Sequence, residues 1–116
     1  MPRLVIKQGP GVGRDHALGA AACVVGRDPG VTFPLEDTLA SRQHFRIVSE
    51  GGAWYVEDLG STNGTMLNGR RTQRARLSDG DTIRAGTTRL TFVQKDLLGG
   101  TGSAQAARPA PVPALS

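Results

Sequence analysis

The sequence predicts an all-β domain, a sandwich or a barrel, on three observations. Short runs rich in Val, Ile, Leu, Thr and aromatic residues recur along the chain, and these residues suit a pleated surface. Turn-forming residues separate the runs at intervals of roughly 8–12 residues. No segment sustains the 3.6-residue apolar period of an amphipathic helix. The runs fall at residues 3–8, 21–26, 44–49, 53–58, 65–67, 81–85 and 88–93.

Taken in order, the first run ends at Gly9-Pro10-Gly11-Val12-Gly13. A phosphate-cradling nucleotide loop would need a Lys-Ser or Lys-Thr after it, or a third fingerprint glycine, and a following helix. None is there, so the stretch reads as a long hairpin loop. The apolar run 21–26 holds the lone Cys23, which can form no internal disulfide and reads as a small core side chain in a reducing setting. Runs 44–49 and 53–58 partly alternate apolar and polar residues, and Glu50-Gly51-Gly52 between them gives the permissive backbone of a hairpin turn. Asn68-Gly69 closes run 65–67, since both residues tolerate positive φ. Ser78-Asp79-Gly80-Asp81 and Ala85-Gly86 mark two further turns. So many tight turns imply meander-like, antiparallel sheets.

The chain has 116 residues, room for one domain and a tail. Residues 1–96 form the expected domain. From about residue 97 the composition turns to Gly, Ala, Ser and Pro, so residues 97–116 are expected to be a disordered tail or flexible linker. No apolar stretch reaches the roughly eighteen residues of a membrane span, and no signal peptide is evident, so a soluble, cytoplasmic protein is expected. Fourteen Lys and Arg against ten Asp and Glu give a net charge of +4, and twelve of the fourteen are Arg. Arginine favours forked contacts to phosphate or carboxylate. That bias suits nucleic acid, an anionic surface or a phosphoprotein, and net charge alone does not choose among them.

The motifs do choose. Gly26-Arg27, Ser41-Arg42-Gln43-His44, the stretch from Asp58 through Gly60-Ser61-Thr62-Asn63-Gly64-Thr65, Asn68-Gly69, and Leu77 with Gly80-Asp81-Thr82-Ile83 and Gly86 follow one another within one domain length. In order and spacing this pattern resembles the forkhead-associated (FHA) domain, over roughly residues 3 to 95. The resemblance implies a β-sandwich of two twisted antiparallel sheets of the FHA/SMAD type, with the motif residues on loops at one end. It also implies binding of phosphothreonine in a partner peptide.

The chemistry of the residues agrees. A phosphothreonine brings about −1.5 to −2 charges and three strong acceptor oxygens. A pocket for it needs a fixed cation and several short donors. Arg27 can offer a guanidinium fork, Ser41 and Thr62 hydroxyl donors, and Arg42 a second cation. In FHA domains the residues matching Arg27, Ser41 and Thr62 contact the phosphate, and the position matching Arg42 often contributes. Asn63 has both amide donors and an acceptor, and the matching FHA residue holds the peptide backbone. Gly26, His44, Gly64, Asn68 and Gly69 are left as structural members of the motif.

Each residue also has a plainer reading. Arg27 could form a surface ion pair with Asp28 or Glu36. Ser41 could brace a turn, and Asn63-Gly64 could be a turn dipeptide alone. His44 could suggest catalysis or a metal, but His16 is the only other histidine and no ligand cluster accompanies it, so a loop-bracing role is expected and no metal or cofactor. The basic run at residues 70–76 reads as a solvated face, or as an extension of the positive field around the pocket.

The leading expectation is a monomeric, non-catalytic module that binds phosphothreonine-containing proteins, a Ser/Thr kinase or its substrates. A phosphate-independent docking module on the same fold is the alternative. Nucleic-acid binding is disfavoured because the few aromatic residues sit mostly in predicted strands, leaving no stacking platform. No paired carboxylates or nucleophile-base arrangement supports an enzyme.

Overall fold

The computed structural model describes residues 2–94, and within them every regular element is a strand. The eleven are β1 (Arg3–Gln8), β2 (Asp15–Ala17), β3 (Cys23–Gly26), β4 (Phe33–Pro34), β5 (Phe45–Glu50), β6 (Ala53–Asp58), β7 (Thr65–Leu67), β8 (Arg70–Thr72), β9 (Arg74–Arg76), β10 (Thr82–Ala85) and β11 (Thr88–Val93). They form two sheets, one of six strands in the order β2-β1-β11-β10-β7-β8 and one of five in the order β4-β3-β5-β6-β9. The expected two-sheet sandwich is the fold. The expected tail at residues 97–116 lies outside the described residues.

Period-two burial explains why the sheets face each other. Leu4 and Ile6 on β1, Ile83 and Ala85 on β10, and Leu90 and Phe92 on β11 point inward from one sheet, while Arg84 and Arg89 point out. Val25 on β3, Phe45 and Ile47 on β5, and Val56 on β6 meet them from the other, each fully buried. A Val, Leu, Ile or Phe side chain withdrawn from water in this way contributes about 1.5–3 kcal/mol. Cys23 joins the same core, and burial pushes its thiol up to about 11.

Three features depart from the sequence expectation. The first and last strands pair with each other, with Leu4 opposite Phe92 and Ile6 opposite Leu90, so the six-stranded sheet is not a meander. The short β4 runs parallel to β3, Val25 opposite Phe33, so the five-stranded sheet is not wholly antiparallel. The basic run at residues 70–76 is not one solvated face either, because it divides into β8 on one sheet and β9 on the other.

The predicted hairpin is the longest-paired in its sheet, with β5 and β6 matched from Phe45↔Asp58 to Glu50↔Ala53. Its turn holds Gly51 and Gly52 at φ 57° and 82°, the doubly left-handed arrangement that matches strand twist. The strand directions place loops 27–32, 35–44, 59–64 and 86–87 together at one end of the sandwich. The turns at 51–52 and 68–69 lie at the other.

Candidate functional site

Three loops from the five-stranded sheet and one from the six-stranded sheet build a polar platform at that end. Its foundation is a close approach of main chains. Arg27 N donates to Ser41 O at 2.9 Å, Asp28 N to Arg42 O at 3.2 Å, and His44 N to Val25 O at 2.9 Å. A Cβ on Gly26 would stand 2.0 Å from Arg42 O, so only glycine admits this approach.

Arg27 is exposed, and its Nε donates to Ala40 O at 3.1 Å. That bond goes to a carbonyl, and among the described residues no ion pair with Asp28 or Glu36 forms. One edge of the guanidinium is thus pinned, while the Nη groups have no hydrogen-bond partner among the described residues. Arg42 is also exposed, and the two arginines line a hollow of about 250 Å³ together with Asp28 and Pro29. The Asp28 carboxylate is turned onto the Gly30 N–H at 2.9 Å. Two guanidinium groups against one carboxylate, itself turned onto a backbone N–H, leave the hollow with a net positive lining.

Ser41 and Thr62 come together across 21 residues of sequence. The Thr62 N–H donates to Ser41 Oγ at 3.0 Å, which leaves the Ser41 hydroxyl proton to donate elsewhere. His44, fully buried, ties the same two loops from beneath. Its Nδ1 accepts from Ser41 N at 3.0 Å and its Nε2 lies 2.8 Å from Gly64 O. A carbonyl only accepts, so Nε2 carries the proton and the ring is the neutral Nε2–H tautomer. Asn63 donates through Nδ2 to Leu39 O at 2.9 Å, and its Oδ1 remains to accept. Gly64 has φ 80°, and a Cβ there would meet Arg71 Nε at 2.7 Å.

Two carboxylates hold the loops in shape: Asp58, which opens a motif stretch but has no role in the sequence reading, and Asp37, which the motifs do not include. Asp58 accepts from Gly60 N at 3.0 Å, Ser61 N at 3.2 Å, Thr65 Oγ1 at 2.7 Å and the Ser61 hydroxyl. Burial would raise its pKa, but the donors from Ser61, Thr65 and Gly60 together outweigh that and lower it. Asp37, 3% exposed, accepts from Leu39 N at 2.9 Å through one oxygen. Through the other it takes Thr87 N at 2.6 Å, Thr87 Oγ1 at 2.9 Å and Thr88 Oγ1 at 2.9 Å. Burial again opposes ionisation, and the backbone and hydroxyl donors again prevail, so its pKa is lowered. Local signals existed in the Asp-x-x-Ser and Asp-x-Leu turn patterns, but the Thr87 partner lies 50 residues away.

Arg27, Ser41, Arg42, Thr62 and Asn63 thus share one end of the sandwich, with Gly26, His44 and Gly64 beneath them. Asn68 and Gly69 do not. They form the turn at the opposite end, which corrects the expectation that all motif residues share one end. There Asn68 Nδ2 donates to Asp81 Oδ1 at 3.1 Å and Asn68 Oδ1 accepts from Thr82 N at 2.9 Å. Among the described residues no three His, Cys, Asp or Glu side chains gather as a metal site.

The sequence profile of the FHA domain matches residues 23–86. The glycogen accumulation regulator GarA of Mycolicibacterium smegmatis is 38% identical over 90 residues, 78% of this chain and 57% of that protein. The chain therefore spans less than two thirds of the length of this curated relative. Among solved structures, one from a study of phosphothreonine-dependent FHA domain interactions superposes with a TM-score of 0.76 at 34% identity, over 83% of this chain and 98% of that one. The FhaA FHA domain, solved in complex with the intracellular domain of Rv3910, superposes with a TM-score of 0.73 at 35% identity, over 79% of this chain and 99% of that one. Sequence profile, relative and superposed structures all cover the strands and loops that build the platform, and the chain belongs to the FHA domain family.

Proposed function

We propose that the chain is a non-catalytic cytoplasmic module that binds phosphothreonine in partner proteins of Ser/Thr kinase signalling. The observation that carries this reading is the pair of arginines, Arg27 and Arg42, facing one open hollow of about 250 Å³ beside the Ser41–Thr62 link. A dianionic phosphate entering there meets two guanidinium groups, and the Ser41 and Thr62 hydroxyls stand on the adjoining loops. Asn63 holds the main chain of the extended peptide next to the phosphothreonine through its free Oδ1. The platform is pre-formed by main-chain bonds, so little ordering opposes binding.

The test is capture of a degenerate phosphothreonine peptide library beside phosphoserine and unphosphorylated libraries. Selective retention of the phosphothreonine set is expected. A hydrogen bond to a charged group contributes about 1.5–3 kcal/mol, so removing the Arg27 fork with Arg27→Ala should lower affinity roughly 100-fold or more. The variant should stay folded with at most a small drop in melting temperature, because Arg27 is exposed and gives up a single bond to Ala40 O. Undiminished phosphopeptide affinity in that folded variant excludes the assignment, and equal capture of all three libraries turns the reading to phosphate-independent docking.

A further inference from the structure

The outer face of the six-stranded sheet carries a row of side chains that the phosphate site does not use. Arg89 on β11 is opposite Arg84 on β10, Arg84 is opposite Met66 on β7, and Met66 is opposite Arg71 on β8. All three arginines are exposed and Met66 is half-buried between them. Among the described residues no ion pair joins Arg71, Arg84 or Arg89 to a carboxylate. Arg84 Nε reaches only the carbonyl of Gly86, at 3.1 Å. Like charges directly opposite on paired strands are destabilising, so Arg84 facing Arg89 is a cost that the fold does not recover.

The other sheet handles the same composition differently. On its outer face Arg46 is opposite Glu57, and Glu57 is opposite Arg74. Glu57 takes Arg46 Nε at 2.6 Å and Arg74 Nε at 2.8 Å, while Glu50 takes Arg74 Nη2 at 2.7 Å. The Arg74 guanidinium also lies 4.4 Å from the centre of the Tyr55 ring. Among the described residues, one face pairs Arg46 and Arg74 with Glu57 and Glu50 and leaves Arg76, opposite Tyr55, outside any ion pair, whereas the other pairs none of its three arginines.

We propose that the Arg71–Met66–Arg84–Arg89 row is a docking surface for an acidic segment of a polypeptide partner. The backbone N–H groups of β7, β10 and β11 are consumed in the ladder, so this face offers guanidinium forks without the loop amides that cradle phosphate. Planar two-pronged donors match carboxylates in pairs. A cleft of about 390 Å³ bounded by Met66, Thr82, Arg84 and Arg89 admits side chains, and Met66 gives their methylene stems an apolar floor. Of the exposed large hydrophobic side chains, Leu39 borders the adjoining cleft with Met66 and Arg84, and neither it nor Val12 is aromatic, so the face offers no aromatic platform on which bases could stack. Arg84 and Met66 also line a second cleft, of about 400 Å³, with Asn63 and Gly64. The row therefore begins beside the phosphate loops, and one partner could span both surfaces. It binds carboxylates whether or not a phosphothreonine occupies the other end.

The experiment uses the full chain and an unphosphorylated, fluorescein-labelled oligo-glutamate peptide, with oligo-glutamine as control, read by anisotropy over a salt series. Binding to oligo-glutamate alone is expected. The triple variant Arg71→Gln/Arg84→Gln/Arg89→Gln should weaken it roughly 10-fold or more. A variant matched in charge, Arg14→Gln/Arg46→Gln/Arg76→Gln, should weaken it far less. Arg27→Ala should leave it unchanged, which separates this surface from the phosphothreonine reading. Loss of binding in Arg27→Ala, equal loss in the two triple variants, or no binding by the parent protein overturns the proposal. So does tighter, row-dependent binding of a DNA duplex, which would make nucleic acid the occupant. The Arg71→Gln/Arg84→Gln/Arg89→Gln variant removes the Arg84–Arg89 like-charge contact, so an unchanged or higher melting temperature should accompany it.

Discussion

Asp37 and Asp58 are the residues on which the binding loops turn, and their chemistry makes loop order depend on pH. Each is ionised against its own burial because three or more N–H and O–H donors converge on it. A carboxyl whose folded-state pKa lies below its unfolded value adds stability that is fully present above the unfolded value, near 4 for aspartate, and is lost as pH falls through the folded value. Urea-unfolding midpoints should therefore hold between about pH 7 and 5 and drop below about pH 4. The double variant Asp37→Asn/Asp58→Asn should be less stable than the parent at pH 7 and lose less on acidification, since neither side chain can then release a charge–donor interaction. Parallel curves for parent and variant would show that other carboxylates govern the acid limb. At this scale the sequence exposed the polar loop residues of the platform better than their supports. Arg27, Ser41 and Thr62 sit in recognisable local strings, whereas the bonds that aim them run from Ser41 to Thr62 and from Asp37 to Thr87, and no local pattern encodes separations of 21 and 50 residues.

The elements divide by length in how well they could be read. The strands β1, β5, β6, β10 and β11 have four to six residues each, enough for alternation or β-branched enrichment to register. The strands β2, β4, β8 and β9 have two or three residues, fewer than one full period of pattern plus its repeat, and they exist because an edge is available to pair with. Pro34 in β4 argues against a strand by composition and is tolerated because β4 is an edge. Arginines in β8 and β9 disguise strand as charged loop. Turn chemistry was the more dependable guide, and the β7–β8 turn shows why. Asn68 is the one non-glycine residue among those described with positive φ, at 51°, and Gly69 follows at 85°. Its side chain also bridges to Asp81 and Thr82 at the start of β10. Asn68→Ala loses the bridge and places a less tolerant residue in the left-handed region, so stability should fall by about 1–2 kcal/mol in urea titrations. Phosphopeptide affinity should not change, since the turn lies at the far end of the sandwich. A loss of affinity larger than the loss of folded protein would contradict that placement.

At the scale of the molecule, the binding end is held by both sheets at once, and this ties recognition to the shared core. Asp37, in a loop of the five-stranded sheet, is gripped by Thr87 and Thr88 of the six-stranded one, and His44 braces Gly64 in the loop by which the chain crosses from β6 to β7. Directly below His44, Phe45 is fully buried, with the imidazole set edge-on to its ring at 6.4 Å. Phe45→Ala removes that packing and leaves a cavity where the sheets meet, at a cost of about 3–5 kcal/mol. Against a total of about 5–15 kcal/mol for a domain of this size, much of the protein could be unfolded at 37 °C while remaining folded in the cold. Two kinds of lost binding then become separable. In Phe45→Ala the apparent affinity should follow the folded fraction, recovering on cooling or with saturating ligand, which stabilises the folded state by mass action. In Arg27→Ala the folded fraction should stay at the parent level while affinity is lost at every temperature. Urea titrations paired with phosphopeptide titrations at two temperatures distinguish them. Binding that stays absent in folded Phe45→Ala would mean that the core shapes the hollow directly rather than only holding the sheets together.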